Sequence, residues 1–177
     1  MSAAARFVWL LTGAAWAARS LVGFADPAYW NPTTTLDWIA VWLFSACWLT
    51  LAPAAILLGR LVPARPVRVV ATIVAVAALL AGVANGIEDG FGVKSWGTFY
   101  VLGSMTALLG LVALAVTFRQ AGMSRLAWLA GGLVVSFLLF NVGGGFLTLV
   151  ALGGLAVKPR WFLVADPEPS MVQGARA

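Results

Sequence analysis

The sequence predicts an all-α protein, a polytopic bundle of transmembrane helices. Hydrophobic residues make up 62% of the 177 residues and charged residues only 10%, and the mean hydropathy is +0.98. A soluble domain has about 25% charged residues, so this chain has too few to cover a water-facing surface. We therefore expect lipid to cover most of the protein surface.

Apolar runs of membrane-spanning length divide the chain. A helix needs about 20 apolar residues to cross a hydrocarbon core of about 30 Å. Four runs meet this requirement, and polar or Pro- and Gly-containing connections separate them. The predicted spans are 7–24, 36–58, 67–87 and 96–118. Residues 1–157 are expected to form one transmembrane bundle.

A fifth apolar run, 126–157, is too long for one ordinary span. Asn141 and Gly143-Gly144-Gly145 lie near its middle. The preferred interpretation is a single span, 126–148, which gives five spans in all. The alternative is four full spans plus a re-entrant or broken fifth and sixth segment, because glycines interrupt helices. The polar tail, 158–177, is expected to be flexible.

The charges predict an orientation. Arginines without acids occupy the second and fourth connections, at Arg60, Arg65 and Arg68 and at Arg119 and Arg125. Short loops rich in Arg and Lys stay in the cytoplasm. The N-terminus is then cytoplasmic, and loops 25–35 and 88–95 are extracytoplasmic. The bias towards Arg, Ala and Gly is typical of a GC-rich bacterial coding sequence, so the plasma membrane of a bacterium is expected.

Several chemistries lack their usual residues. The chain has no histidine, and Cys47 is its single cysteine. This excludes a disulfide within the chain and leaves the common haem and zinc ligands missing. No metal, cofactor or nucleic-acid partner is expected. The formal net charge of +5 follows the loops expected in the cytoplasm.

The end of the third run contains the main candidate site. Asn85, Glu88 and Asp89 follow an i, i+3, i+4 spacing, which places them on one face of a helix. Carboxylates at a membrane edge are costly unless something pairs or uses them. The functional interpretation is an outward-facing acidic pocket for a cation, a proton or a polar ligand head. The alternative is a charged loop that stops translocation and caps the bundle.

Arg19 is unusual because it lies within the outer half of the first span. An ion pair with Glu88 is the preferred explanation, with Asp89, Asp26 or Asp37 as other partners on the same side. The alternative is that the side chain reaches out to the outer headgroups.

Small and aromatic residues surround this region in the sequence. Gly82 and Gly86 belong to a small-residue stripe, with Ala78 and Gly90, that permits close packing of another helix. One interpretation of the aromatic residues is that they roof an apolar pocket for an organic cation or an isoprenoid-like ligand. Ordinary packing in the core and in an interfacial belt, which would include Trp9, is the favoured alternative. The aromatic candidates are Trp38, Trp42 and Tyr100, with Tyr29 and Trp30.

The leading functional hypothesis is a non-catalytic bundle that binds a lipid, a small apolar ligand, a partner membrane protein or a second copy of itself. One alternative is a transporter of a small solute, or its substrate-binding membrane subunit. Another is an intramembrane enzyme, in which Glu88 or Asp89 acts as a proton donor to an apolar substrate.

Overall fold

The computed structural model describes residues 2–25 and 32–166, and every regular element in these ranges is helical. Four helices are long and apolar enough to cross a membrane, so the four clear spans predicted from the sequence are confirmed. The chain is an all-α bundle of the membrane type. Its helices are α1 (Ala3–Ala25), α2 (Thr35–Gly59), α3 (Arg65–Asn85), α4 (Gly97–Gln120), α5 (Ser124–Leu138), α6 (Gly144–Val157) and α7 (Pro159–Phe162).

Helices α1 to α6 pack in sequence order around a ring, and α6 closes the ring against α1. Neighbouring helices are antiparallel. Between α1 and α2, the Trp16 indole N–H donates to the Cys47 carbonyl at 3.1 Å, and the Thr12 hydroxyl donates to the Thr50 carbonyl at 3.0 Å. Residue numbers therefore rise along α1 in the direction in which they fall along α2. All connections with excess arginine therefore lie at one end of the ring, here called the basic end.

The fifth apolar run does not form one span, so the preferred prediction for 126–148 is wrong and the broken alternative is observed. A 3-10 turn, Phe140–Val142, and Gly143, whose φ is 98°, separate α5 from α6. The 15 residues of α5 rise about 22 Å, which is less than the hydrocarbon thickness of about 30 Å. The two helices form an antiparallel hairpin that returns the chain to the basic end.

Contacts from other helices stabilise the hairpin turn. The Ser20 hydroxyl of α1 donates to the Phe140 carbonyl at 3.2 Å and accepts from the Gly145 N–H at 3.0 Å. Ser136 donates to the Gly144 carbonyl. Backbone groups outside a helix must be satisfied by protein or water at membrane depth, and here α1 and α5 satisfy them. The Asn141 side chain lies outside the described part of the chain.

The segment after α6, for which the sequence predicts a flexible tail, makes contacts at the basic end as far as residue 166. The Asp166 carboxylate accepts hydrogen bonds from the Ser124 N–H and hydroxyl. The Arg125 guanidinium donates to the Trp161 carbonyl at 2.6 Å and lies 4.4 Å from the centre of that indole ring. The remainder of the predicted tail, 167–177, lies outside the described residues.

Large aromatic and aliphatic side chains fill the centre of the ring. Trp9 and Trp48 are completely buried, so the prediction that Trp9 belongs to an interfacial belt is wrong. A residual cavity of about 10 Å³ remains at the centre, which is at the lower limit for one water molecule. The cavity is lined by Trp16, Trp48, Leu51, Leu108, Leu111, Leu133, Phe137 and Thr148.

Candidate functional site

A π-helical turn, Gly86–Gly90, continues α3 and separates the predicted acidic site into two parts. Before it, Asn85 is buried and its amide donates to the Ser45 hydroxyl of α2 at 2.9 Å. After it, the Glu88 carboxylate lies against Gly97, at the start of α4. The prediction that Asn85 shares a face with the acids is therefore wrong. A π-turn bonds i to i+5, so it places more residues in each turn than the assumed α-helix.

Glu88 and Asp89 line an open groove of about 630 Å³, here called the acidic-end groove. Asp89 pairs with Lys94, whose ammonium lies 3.3 Å from a carboxylate oxygen. The Lys94 side chain is 70% exposed, so solvent screens this pair and its contribution to stability is small. The other lining residues are Gly97, Thr98, Tyr100, Val101 and Leu102.

Arg19 lies in the interior, away from this groove. Its side chain is completely buried, and its guanidinium carbon lies 5.3 Å from the Phe140 ring centre and 5.8 Å from that of Phe44. Within residues 2–25 and 32–166 the recorded ion pair is Lys94–Asp89, so the predicted Arg19–Glu88 pair is not formed.

Of the two other carboxylates considered as partners of Arg19, one lies within the described residues. Asp37 begins α2 as the acid of a capping box, because its carboxylate accepts the Thr34 N–H at 2.7 Å. Asp26 lies outside the described residues.

The predicted aromatic residues lie on two sides of the bundle. Trp38 and Trp42 are 40% and 45% exposed on the outer surface of α2, and Trp42 makes an edge contact with Phe91 at 5.6 Å. Tyr100 lines the acidic-end groove and lies 6.0 Å from Phe44. They do not form a common roof over the acids. Tyr29 and Trp30 lie outside the described residues.

The predicted small-residue stripe of α3 packs against α2. A Cβ atom at Gly82 would lie 2.8 Å from Leu49 Cγ, whereas one at Gly86 would keep 3.5 Å to its nearest neighbours, Ser45 and Trp42. Gly82 therefore permits the close approach, and Gly86 makes ordinary contact.

A furrow on the outer surface between α3 and α4 was not predicted. It encloses about 330 Å³ and is here called the α3–α4 furrow. No lining residue carries a charge, and the polar groups are two threonine hydroxyls. The furrow is lined by Thr72, Ile73, Val76, Ala77, Leu80, Leu102, Gly103 and Thr106.

Close helix packing forms the floor of the furrow. A Cβ atom at Gly103 would lie 2.7 Å from the Ala81 nitrogen and 2.9 Å from the Ala77 oxygen, both backbone atoms of α3. The larger side chains beside this contact form the two walls. A stripe of small residues on α4, Gly103, Ala107 and Gly110, is the sequence signal that predicts this contact.

The furrow adjoins a further depression at each end. At the basic end, a depression of about 540 Å³ lined by Arg65 and Arg68 shares Thr72 and Ile73 with it. At the opposite end, the acidic-end groove shares Leu102. The surface between α3 and α4 is thus apolar in the middle and charged at both ends.

Comparison of the chain with protein-family models, with curated proteins and with solved structures finds no match.

Proposed function

We propose that this protein is a non-catalytic membrane bundle that binds a lipid in the α3–α4 furrow. The dimensions of the furrow are the observation that carries this proposal. From Thr72 to Leu80 the helix rises about 12 Å, which is close to the depth of one leaflet, about 15 Å or half of the hydrocarbon core. The length of the furrow therefore suits one acyl chain that enters from one side of the membrane.

The lining of the furrow suits a hydrocarbon chain. Its side chains are apolar apart from the hydroxyls of Thr72 and Thr106, and its volume is about 330 Å³.

The transport alternative receives less support. A solute pathway needs space through the ring, and the central cavity is only about 10 Å³. The acidic-end groove, with Glu88 and Asp89, lies between α3 and α4 at the edge of the bundle rather than at its centre.

The proposed orientation places the basic end in the cytoplasm. The hairpin returns Lys158 and Arg160 to the end that carries Arg60, Arg65 and Arg68. The excess of positive charge at that end is thus larger than a five-span chain would have, and such an excess favours the cytoplasmic side. The furrow then opens to the cytoplasmic leaflet.

Native mass spectrometry of the full chain, released gently from its membrane, tests lipid binding. We expect a stoichiometric lipid on the wild-type protein. In Thr106→Trp an indole fills the furrow, and retention should fall about tenfold. Leu109→Trp is the matched control, because Leu109 is 70% exposed on the same helix outside the furrow, and it should retain the lipid.

Equal retention by the Thr106→Trp and wild-type proteins would refute the proposal. A stoichiometric polypeptide in place of the lipid would also refute it and would favour the partner-protein hypothesis.

A further inference from the structure

We propose that the lipid in the furrow is an anionic phospholipid whose phosphate is bound by Arg65 and Arg68. This inference rests on the proposed function, because it assigns the headgroup of the same ligand. It starts from the continuity of two surfaces: the arginine-lined depression and the α3–α4 furrow share Thr72 and Ile73. A molecule in the furrow therefore meets the arginines at its basic end.

The distances between residues along α3 match the dimensions of a phospholipid. Arg68 lies one turn before Thr72, or about 6 Å along the axis, and Leu80 lies about 18 Å beyond Arg68. If Arg68 lies at headgroup level, the furrow begins just below it and ends near the bilayer midplane, at about 15 Å. A phosphate beside the arginines and an acyl chain in the furrow then occupy the positions that a phospholipid of that leaflet has.

The charge at this position suits an anion. Arg65 and Arg68 are both exposed in the first turn of α3, and the segment from Gly59 to Thr72 contains no acid. One guanidinium N–H of Arg68 donates to the Pro63 carbonyl at 2.7 Å. A guanidinium has five N–H donors, so this bond orients the group and leaves other donors for phosphate oxygens. Arginine also binds phosphate with two parallel hydrogen bonds.

The experiment measures lipid binding to the full chain in detergent by native mass spectrometry, with phosphatidylglycerol and phosphatidylcholine as probes of equal acyl length. We expect the wild-type protein to prefer phosphatidylglycerol. The double variant Arg65→Gln/Arg68→Gln should bind it about thirtyfold more weakly, as expected for two cations near an anionic group. Its binding of phosphatidylcholine should weaken less, because that lipid has the same phosphate but no net charge.

Two controls isolate charge from structure. Arg65→Lys/Arg68→Lys keeps both positive charges but removes the guanidinium hydrogen bond from Arg68 to the Pro63 carbonyl. It should retain the preference for phosphatidylglycerol. Arg160→Gln removes a cation from the basic end that does not line the furrow, and it should behave as wild type.

The outcomes separate this inference from the proposed function. Equal binding of both lipids by the wild-type protein, with both displaced in Thr106→Trp, would overturn the anionic headgroup and leave lipid binding in place. An unchanged preference in Arg65→Gln/Arg68→Gln would also overturn it. Binding of neither lipid would overturn both proposals.

Discussion

Gly103 sets the distance between α3 and α4, and its replacement by alanine should destabilise the bundle. The new Cβ would lie 2.7 Å from the Ala81 nitrogen and 2.9 Å from the Ala77 oxygen. Ordinary contacts begin at 3.4 Å, so the helices must separate by about 0.7 Å or deform. Overpacking costs about 1–3 kcal/mol, and the better helix propensity of alanine recovers at most about 1 kcal/mol.

The assay is reversible unfolding in mixed micelles, in which added SDS unfolds the helices. Cys47 gives a direct signal, because its side chain is completely buried in the folded chain and a thiol reagent reaches it only after opening. Gly131→Ala is the matched control, since no atom lies within 4 Å of the new Cβ. We expect a lower free energy of unfolding and faster labelling of Cys47 in Gly103→Ala only.

One result would refute this reasoning. If Gly103→Ala and Gly131→Ala have the same free energy of unfolding, α3 and α4 are not in backbone contact at Gly103. The floor of the α3–α4 furrow would then differ from the one described.

Two further predictions concern the hairpin and the orientation. Gly143→Ala should lower the free energy of unfolding by about 1–3 kcal/mol in the same assay, because a φ of 98° strains any residue with a Cβ. The control Gly153→Ala, whose new Cβ has its nearest contact at 4.0 Å, should be close to neutral. Equal free energies of unfolding in the two variants would contradict the left-handed turn. A membrane-impermeant thiol reagent added to intact cells should label Val93→Cys and not Ala121→Cys. Both sites are exposed, at opposite ends of the bundle, and Ala121 lies at the basic end, which is expected to face the cytoplasm. Labelling of Ala121→Cys alone would show the opposite orientation.

The fifth apolar run shows why part of the fold could not be predicted. The sequence displays the glycines at 143–145 but not their partners. The broken form depends on Ser20, which satisfies backbone groups of the turn from α1, and on Gly145, whose Cα lies close to the Trp16 carbonyl. Ser20 and Trp16 lie more than a hundred positions before the turn in the chain, so local preference alone could not choose between one span and two short helices.

The candidate site was predicted in part, and its errors have local causes. Glu88 and Asp89 do lie together at the edge of the bundle. The spacing places Asn85 on the same face only in an α-helix, and residues 86–90 form a π-helical turn instead. The pairing of Arg19 with Glu88 assumed that outer-half charges meet. Instead, the ring order places Arg19 among Phe44 and Phe140.

The sequence by itself determined that the chain is a helical membrane bundle, where its four long helices lie and at which end its arginines gather. These properties depend on local composition, because each span must be apolar along its own length. Only the tertiary structure decided which helices are neighbours. The α3–α4 furrow exists because Gly103 lets two backbones meet while the side chains beside them stand apart. A cavity between helices belongs to neither helix, so no single run of residues predicts it.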